Sequence, residues 1–322
     1  MKAVIYERYG PPEVLQLKDV EKPLPKDNEV LVRVRAVSVN AYDWHLLTAD
    51  IFLVRLNRGL LKPKNPVLGA DIAGEVEAVG RNVQQFKPGD AVFGCLSGCG
   101  DGGFAEYASA TEDALTLKPA NLSFEEAAAV PMAALTALQG LRDEGKIQPG
   151  QKVLIHGSAG GVGTYAVQLA KLFGAEVTAV CSTRNLEQTR ALGADQVIDY
   201  SKEDFAKMGQ QYDLIFAVNG YRPISVYRDA LKPGGIYAMA GGKPAQMFQA
   251  LLLGRWMSRD GKKMRVVSAK VSPKDLVFLR GLLEAGKIRP VIDQRYPLAQ
   301  TAEALRYLGT GHARGKVVIQ VG

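Results

Sequence analysis

Through the first third of the chain, apolar positions alternate with polar ones. KAVIYE (2–7), EVLVRVRAVSV (29–39), DIAGEVEAVG (71–80), DAVFG (90–94) and FAEYAS (104–109) alternate or run apolar, with Gly, Pro and Asp between them. A period of two marks strands with one buried face, and KPGD (87–90) reads as a turn joining two of them. Residues 1–120 therefore predict a folded, β-barrel-like unit.

The pattern changes near Leu122. SFEEAAAVPMAALTALQGL (123–141) opens with Ser123 and has Glu126 three residues on, a capping box, before alanine takes over. Pro131 must kink or restart that helix. The strand QKVLIHG (151–157) then runs into glycines, and the helix TYAVQLAKLFG (164–174) stops at Gly174. EVTAVCS (176–182), DQVIDY (195–200), YDLIFAV (212–218) and GGIYAMAG (234–241) continue as strands, with NLEQTRALGA (185–194) as a helix. MRVVSAK (264–270) is a candidate sixth strand. Strands alternating with helices of about ten residues predict a doubly wound parallel sheet. From Val271 a helix (PKDLVFLRGLLEAGK) leads through short pieces to the strand KVVIQV, and this tail is expected to return to the first unit. The expected division is 1–122 with 271–322, and 123–270.

A length of 322 residues fits two domains. The net charge of +7 suggests an anionic ligand or surface and proves neither. Its basic residues are not interleaved with exposed aromatics and no nucleic-acid motif is visible, so nucleic acid is not expected as a partner. No apolar run reaches the ~18 residues of a membrane span, and Met1 leads directly into a strand-like segment without the marks of a secretory leader. Three cysteines, an odd and sparse set, suggest a reducing compartment, and a cytoplasmic location is expected. Cys95 and Cys99 have C-x3-C spacing with no second pair downstream, and read as bystander thiols or as half of a zinc site completed by His45, His156 or His312.

Four of the seven residues from Gly157 to Gly163 are glycine. Where a strand turns into a helix, free N–H groups and the positive dipole end face outward, and glycines let a pyrophosphate approach the backbone. Gly160 and Gly163 match the second and third glycines of G-x-G-x-x-G, with Ser158 at the first. An NAD site usually has an acid about 20 residues further on. This chain has Cys181-Ser182-Thr183-Arg184-Asn185 there, with two hydroxyls and a guanidinium suited to a phosphate, which points to NADP.

Gly150-Gln151, Leu154, Ser158-Ala159-Gly160-Gly161, Gly163, Gln168 and Lys171 resemble the quinone oxidoreductase pattern of the medium-chain dehydrogenase/reductase superfamily. Val39-Asn40-Ala41-Tyr42-Asp43-Trp44, Gly69-Ala70-Asp71-Ile72-Ala73-Gly74, Gly102-Gly103-Phe104-Ala105-Glu106-Tyr107, Val197-Ile198-Asp199-Tyr200 and Gly311-His312-Ala313-Arg314-Gly315-Lys316 resemble it too. The resemblance implies an α/β protein with a GroES-like β-barrel catalytic domain built from both chain ends, a Rossmann doubly wound parallel sheet between them, and NADPH in the cleft. It implies Ala159, Gly160, Gly161, Val162 and Gly163 at the pyrophosphate, Ser182 and Arg184 at the 2′-phosphate, and Tyr200 by the adenosine. Val218, Gly241 and Thr136 are then expected on the nicotinamide side, and Ala313 and Arg314 over the cofactor. A homodimer through the edge strand near 264–270 is a further implication.

Positions matching the superfamily's zinc ligands are Asn40, Ala70 and Met132, none a plausible ligand, so no metal is expected. Without a Lewis acid, the expected substrates are quinones and α,β-unsaturated carbonyls, whose developing oxyanion a hydrogen bond can stabilise. Asn40 offers an amide donor. Tyr42 is either a donor or acid or a core tyrosine, His45 reads better as surface, and Asp43 as a residue that orients backbone. IFLVRLNRGLLKPKN (51–65) and MFQALLLGRWMSRDGKK (247–263) mix large apolar with basic residues, and read as lids, peripheral membrane contacts, dimer contacts or solvated loops. An NADPH-binding module that senses redox state or binds a partner, with little turnover, is the alternative to a reductase.

Overall fold

A computed structural model describes residues 1–218, 222–242 and 261–322, apart from the side chains of Phe52 and Leu53. Two compact units emerge. One comprises Met1–Met132, Val271–Gly286 and Pro290–Gly322, the other Ala133–Lys270 and Lys287–Arg289.

In the first unit a seven-stranded sheet carries the core. Strand Glu29–Val39 lies at its centre, antiparallel to Asp71–Val79, Tyr107–Thr111 and the C-terminal strand Lys316–Gln320. Ala91–Cys95, Leu115–Leu117 and Ile292–Pro297 complete it. The eleven-residue central strand is buried at eight positions. Val30, Val32, Val34, Val37 and Val39 pack with Ile72, Val76, Phe104, Val317 and Ile319 in one cluster. The N-terminal strand Lys2–Ile5 pairs separately with Gln16–Asp19.

The expected change of unit at residue 122 comes ten residues later, after Met132. The Ser123–Glu126 capping box does form, and it starts a short helix, Phe124–Ala128, that packs on strands Glu29–Val39 and Asp71–Val79. Pro131 restarts rather than kinks, as the first residue of helix Pro131–Gln139. Lys287–Arg289 likewise belong to the second unit, because Gln168 bonds the Arg289 backbone from both ends of its amide.

The second unit is a six-stranded, all-parallel sheet. Naming its strands a to f along the chain (Lys152–His156, Glu176–Cys181, Gln196–Asp199, Tyr212–Val218, Leu231–Ala240, Lys263–Val266), their spatial order is c-b-a-d-e-f. This is the 3-2-1-4-5-6 order of dinucleotide-binding Rossmann sheets. The order reverses between a and d, and ligands bind such sheets at the carboxyl ends of the strands at that switch point. MRVVSAK therefore contributes strand f, which begins at Lys263 and ends at Val266.

Candidate functional site

Strand a ends at His156 and turns sharply at Gly157, whose φ is +82°. A Cβ there would lie 2.3 Å from the carbonyl oxygen of Val218, the last residue of strand d. Gly157 thus performs the tight turn that the sequence reading placed one residue on. Ser158 instead anchors the loop, giving a hydrogen bond from Oγ to the Val180 carbonyl at 3.1 Å. Gly163 is needed for packing, since a Cβ would come within 2.1 Å of the Gly157 oxygen.

Gly160 differs. Its backbone (φ −78°, ψ 176°) suits any residue, and an added Cβ would meet only the Gly157 oxygen, at 3.9 Å. Neither conformation nor protein packing demands glycine, which leaves the close approach of a ligand as its use. Helix Gly161–Leu172 starts there with no side-chain cap and no acid in its first turn. Gly161, Val162 and Gly163 thus open their N–H groups at the switch point, with Ala159 in the preceding turn. The residues present fit a pyrophosphate.

At the end of strand b, Ser182 Oγ accepts from Asn185 Nδ2 at 3.0 Å, which leaves its hydroxyl proton to give. Thr183 gives its proton to Asp199 Oδ2 at 2.5 Å, and Ser201 bonds the same carboxylate. Those bonds hold the Asp199 pKa below its ordinary value. The acid missing from the end of strand b is thus present at the end of strand c, already occupied by two hydroxyls. Arg184 is exposed beside Ser182, and Tyr200 follows Asp199 with 57 % of its surface exposed. Val218 ends strand d and Gly241 follows strand e in the left-handed region (φ +69°). Thr136 lies in helix Pro131–Gln139 of the same unit. Ala313 and Arg314 belong to the first unit, where the Arg314 N–H bonds Asp293 at 2.7 Å.

The first unit holds a buried polar cluster. Asn40 precedes helix Ala41–Thr48, and Asp43 in that helix accepts the Asn40 N–H at 2.8 Å and the Gly69 N–H at 3.2 Å. Asn40 gives its two amide protons to the Ser38 carbonyl (3.2 Å) and to Asp71 Oδ2 (3.0 Å). Its Oδ1 accepts from Lys316 Nζ at 2.5 Å. Asp71 also receives the Met132 N–H and the Ser38 hydroxyl, and Lys316 Nζ lies 3.6 Å away. Burial pushes both Asp71 and Lys316 toward their neutral forms, and each opposes that push in the other. Burial and the Asp101 charge raise Asp43 to about 8.

These contacts correct the reading of Asn40 as a donor to substrate. Both of its amide protons are committed, so Asn40 ties helix to strand. They also test the metal. Two of the zinc-ligand positions, Asn40 and Met132, are tied through side chain or backbone to Asp71 beside an ammonium, and neither alanine nor a thioether is a plausible zinc ligand. A divalent cation does not fit a site whose central cation is Lys316.

Tyr42 is half-buried, and its hydroxyl accepts from Arg58 Nη2. Arg58 Nη1 pairs with Asp101 Oδ2 at 2.8 Å. Burial, then the Asp101 charge, raises the Tyr42 pKa, while Arg58 opposes both. His45 instead bonds Asp50 at 2.8 Å. Arg58 lies in the 51–65 segment. Its helix Phe52–Arg58 turns Arg58 to Tyr42 and Arg55 over the Tyr9 ring at 5.0 Å. The roles of Arg58, Asp101 and Lys316 escaped the sequence reading, although Lys316 stood in a quoted motif.

The sheet order, the glycine loop and the buried cluster define a dinucleotide-binding protein with a GroES-like unit. Residues 26–120 match the family of alcohol dehydrogenase GroES-like domains, and residues 192–319 a family described as zinc-binding dehydrogenase. The chain is 37 % identical to the chloroplast envelope quinone oxidoreductase homolog of Arabidopsis thaliana, over 99 % of this chain and 98 % of that one. It is 35 % identical to the NADPH-dependent alkenal/one oxidoreductase of the same plant, over 99 % of this chain and 79 % of that one. The solved quinone oxidoreductase of Coxiella burnetii superposes with a TM-score of 0.87 at 32 % identity, covering 100 % of this chain and 99 % of that one. The protein belongs to the zinc-free, quinone oxidoreductase-like branch of the medium-chain dehydrogenase/reductase superfamily.

Proposed function

We propose that the protein is an NADPH-dependent reductase of quinones or α,β-unsaturated carbonyls that works without a metal. The observation that carries this reading is the Lys316 ammonium beside Asn40 and Asp71, which removes the Lewis acid an alcohol dehydrogenase needs. The names of two relatives, a quinone oxidoreductase homolog and an NADPH-dependent alkenal/one oxidoreductase, support the substrate class and the cofactor. Bound NADPH supplies the hydride. Residues 159–163 hold the pyrophosphate, Ser182 and Arg184 the 2′-phosphate, and Tyr42 offers a hydrogen bond to the substrate oxygen. The phenol stays protonated at neutral pH, so it acts as donor.

The test mixes protein, NADPH and a panel of quinones and enones, and follows the nicotinamide absorbance. Saturable oxidation, reduced at least about tenfold in Tyr42→Phe, supports the enzyme. Tight NADPH binding with no oxidation of any panel member would favour the sensing module.

Two finer readings go with this. Strand f has no second neighbour among the described residues, and we take its open edge as the homodimer contact, testable by light scattering. Leu56, Leu60 and Leu61 are exposed beside the exposed Lys62 and Lys64, which supports a peripheral contact with anionic lipid, testable by vesicle co-sedimentation. Arg55 and Arg58 are turned to protein partners instead. Most of the 247–263 segment lies outside the described residues.

A further inference from the structure

Between strands Ala91–Cys95 and Tyr107–Thr111 the chain makes an unusual loop. Gly98, Gly100, Asp101 and Gly102 have φ of +105°, +118°, +61° and +113°. A Cβ on any of these three glycines would meet nothing within 4 Å, so they serve conformation rather than space. The one side chain in this left-handed run belongs to Asp101, and it is 2 % exposed. Left-handed backbone at a non-glycine residue and a buried carboxylate both cost free energy.

That cost fixes one guanidinium. Asp101 Oδ2 takes Arg58 Nη1 at 2.8 Å, and Arg58 Nη2 donates to the Tyr42 hydroxyl, so one rigid fork holds carboxylate and phenol together.

We propose that the Arg58–Asp101 pair is a positioning device that keeps the Tyr42 hydroxyl a hydrogen-bond donor, and so selects substrates presenting a carbonyl oxygen. The inference rests on Tyr42 acting as the donor in the reductase reading. The phenol oxygen already accepts from Arg58, so the O–H is the group it has left to offer a carbonyl oxygen. A quinone or enone oxygen only accepts and is matched. An alcohol must give up its proton to be oxidised, and a protonated phenol is no base for it. Asp101 acts on the Tyr42 hydroxyl electrostatically, but its Oδ1 has no hydrogen-bond partner of good geometry among the described residues. A carbonyl oxygen can take the hydrogen bond of the Tyr42 proton.

A double-mutant cycle over Arg58→Ala and Tyr42→Phe tests the idea, with menadione and trans-2-nonenal as substrates and NADPH titration and thermal melting as controls for folding. Arg58→Ala is expected to lower kcat/KM at least about tenfold with NADPH affinity changed less than about twofold, and to cost less than about twofold once Tyr42 is already Phe. Guanidinium ion in the buffer should restore part of the Arg58→Ala rate and none of the Tyr42→Phe rate. Asp101→Asn should reproduce the Arg58→Ala loss in part. Losses that multiply, or a wild-type rate in Arg58→Ala, overturn the proposal while leaving the reductase standing. A wild-type protein that oxidises NADPH with no quinone or enone overturns both.

Discussion

The ammonium of Lys316, near the end of the chain, lies 2.5 Å from the amide oxygen of Asn40, which starts the first helix. It also lies 3.6 Å from Asp71, with both charged side chains nearly inaccessible. This lysine links the C-terminal strand to the central strand and its neighbouring helix. It puts a buried ammonium, paired with Asp71, where the superfamily's metal-ligand positions fall.

Lys316→Met removes that charge and leaves Asp71 buried among donors with no counter-ion. Breaking such a pair typically costs ~3–5 kcal/mol. We expect urea unfolding to show a loss of that order, and the Lys316→Met/Asp71→Asn double variant to recover much of it. A loss in the double variant as large as in the single would show that the cost is packing, not charge. Stoichiometric zinc that binds the wild type and raises turnover would contradict the lysine-centred site.

Gly160→Ala and Gly163→Ala separate ligand space from protein space. At 160 the backbone is ordinary and the added carbon reaches only an oxygen at 3.9 Å, so stability should change by less than about 1 kcal/mol. NADPH affinity should nevertheless fall at least about tenfold, because the methyl would stand in the place proposed for the pyrophosphate. At 163 the carbon would lie 2.1 Å from the Gly157 oxygen, and overpacking of that kind costs ~1–3 kcal/mol whether or not cofactor is present. Melting and fluorescence titration of both variants give the comparison. Unchanged NADPH binding in Gly160→Ala would mean the loop has another use.

Arg184→Ala addresses the choice between the two nicotinamide cofactors. A charge-assisted hydrogen bond to phosphate is worth ~1.5–3 kcal/mol, so NADPH affinity should drop roughly tenfold to a hundredfold while NADH affinity hardly moves. Ser182→Ala should act in the same direction and less strongly. Equal losses for both cofactors would place the 2′-phosphate elsewhere.

The parallel sheet was legible because each of its strands is a short apolar run bounded by turn residues, and the glycine turn because its glycines sit between a strand and a helix. The first unit's strands showed in their alternation. Its polar cluster did not, because Asn40, Asp71 and Lys316 meet only through long-range strand pairing, Lys316 lying 276 positions from Asn40. A buried lysine in a run such as KVVIQV looks like any strand-end lysine until its neighbours are known. Arg58 was hidden differently. Its basic, apolar surroundings suggest a surface segment, and nothing local says that an aspartate 43 positions on, in a glycine loop, will draw it inward. The boundary at 122 failed because Phe124–Ala128 is helical by composition yet packs on the antiparallel sheet.

His156 gives the second unit its own acid sensitivity. It ends strand a, is 6 % exposed, and its Nδ1 lies 2.5 Å from the Tyr227 hydroxyl. Burial, with a smaller push from the Arg222 charge, lowers its pKa from 6.5 to about 4. The unfolded chain therefore takes up a proton at this residue before the folded protein does, and folding loses stability as pH falls from about 6.5 toward about 4. A shift of this size corresponds to ~3 kcal/mol over the whole window, at 1.36 kcal/mol per unit. Above pH 7 the residue is neutral in both states and adds no slope. We expect the wild type to lose stability between pH 6.5 and 4 by about that much more than His156→Asn, which cannot take up the proton. The wild-type imidazole should also show no NMR titration above about pH 5. An imidazole that titrates near pH 6.5 in the folded protein, or variants with parallel pH–stability curves, would mean that the ring reaches water.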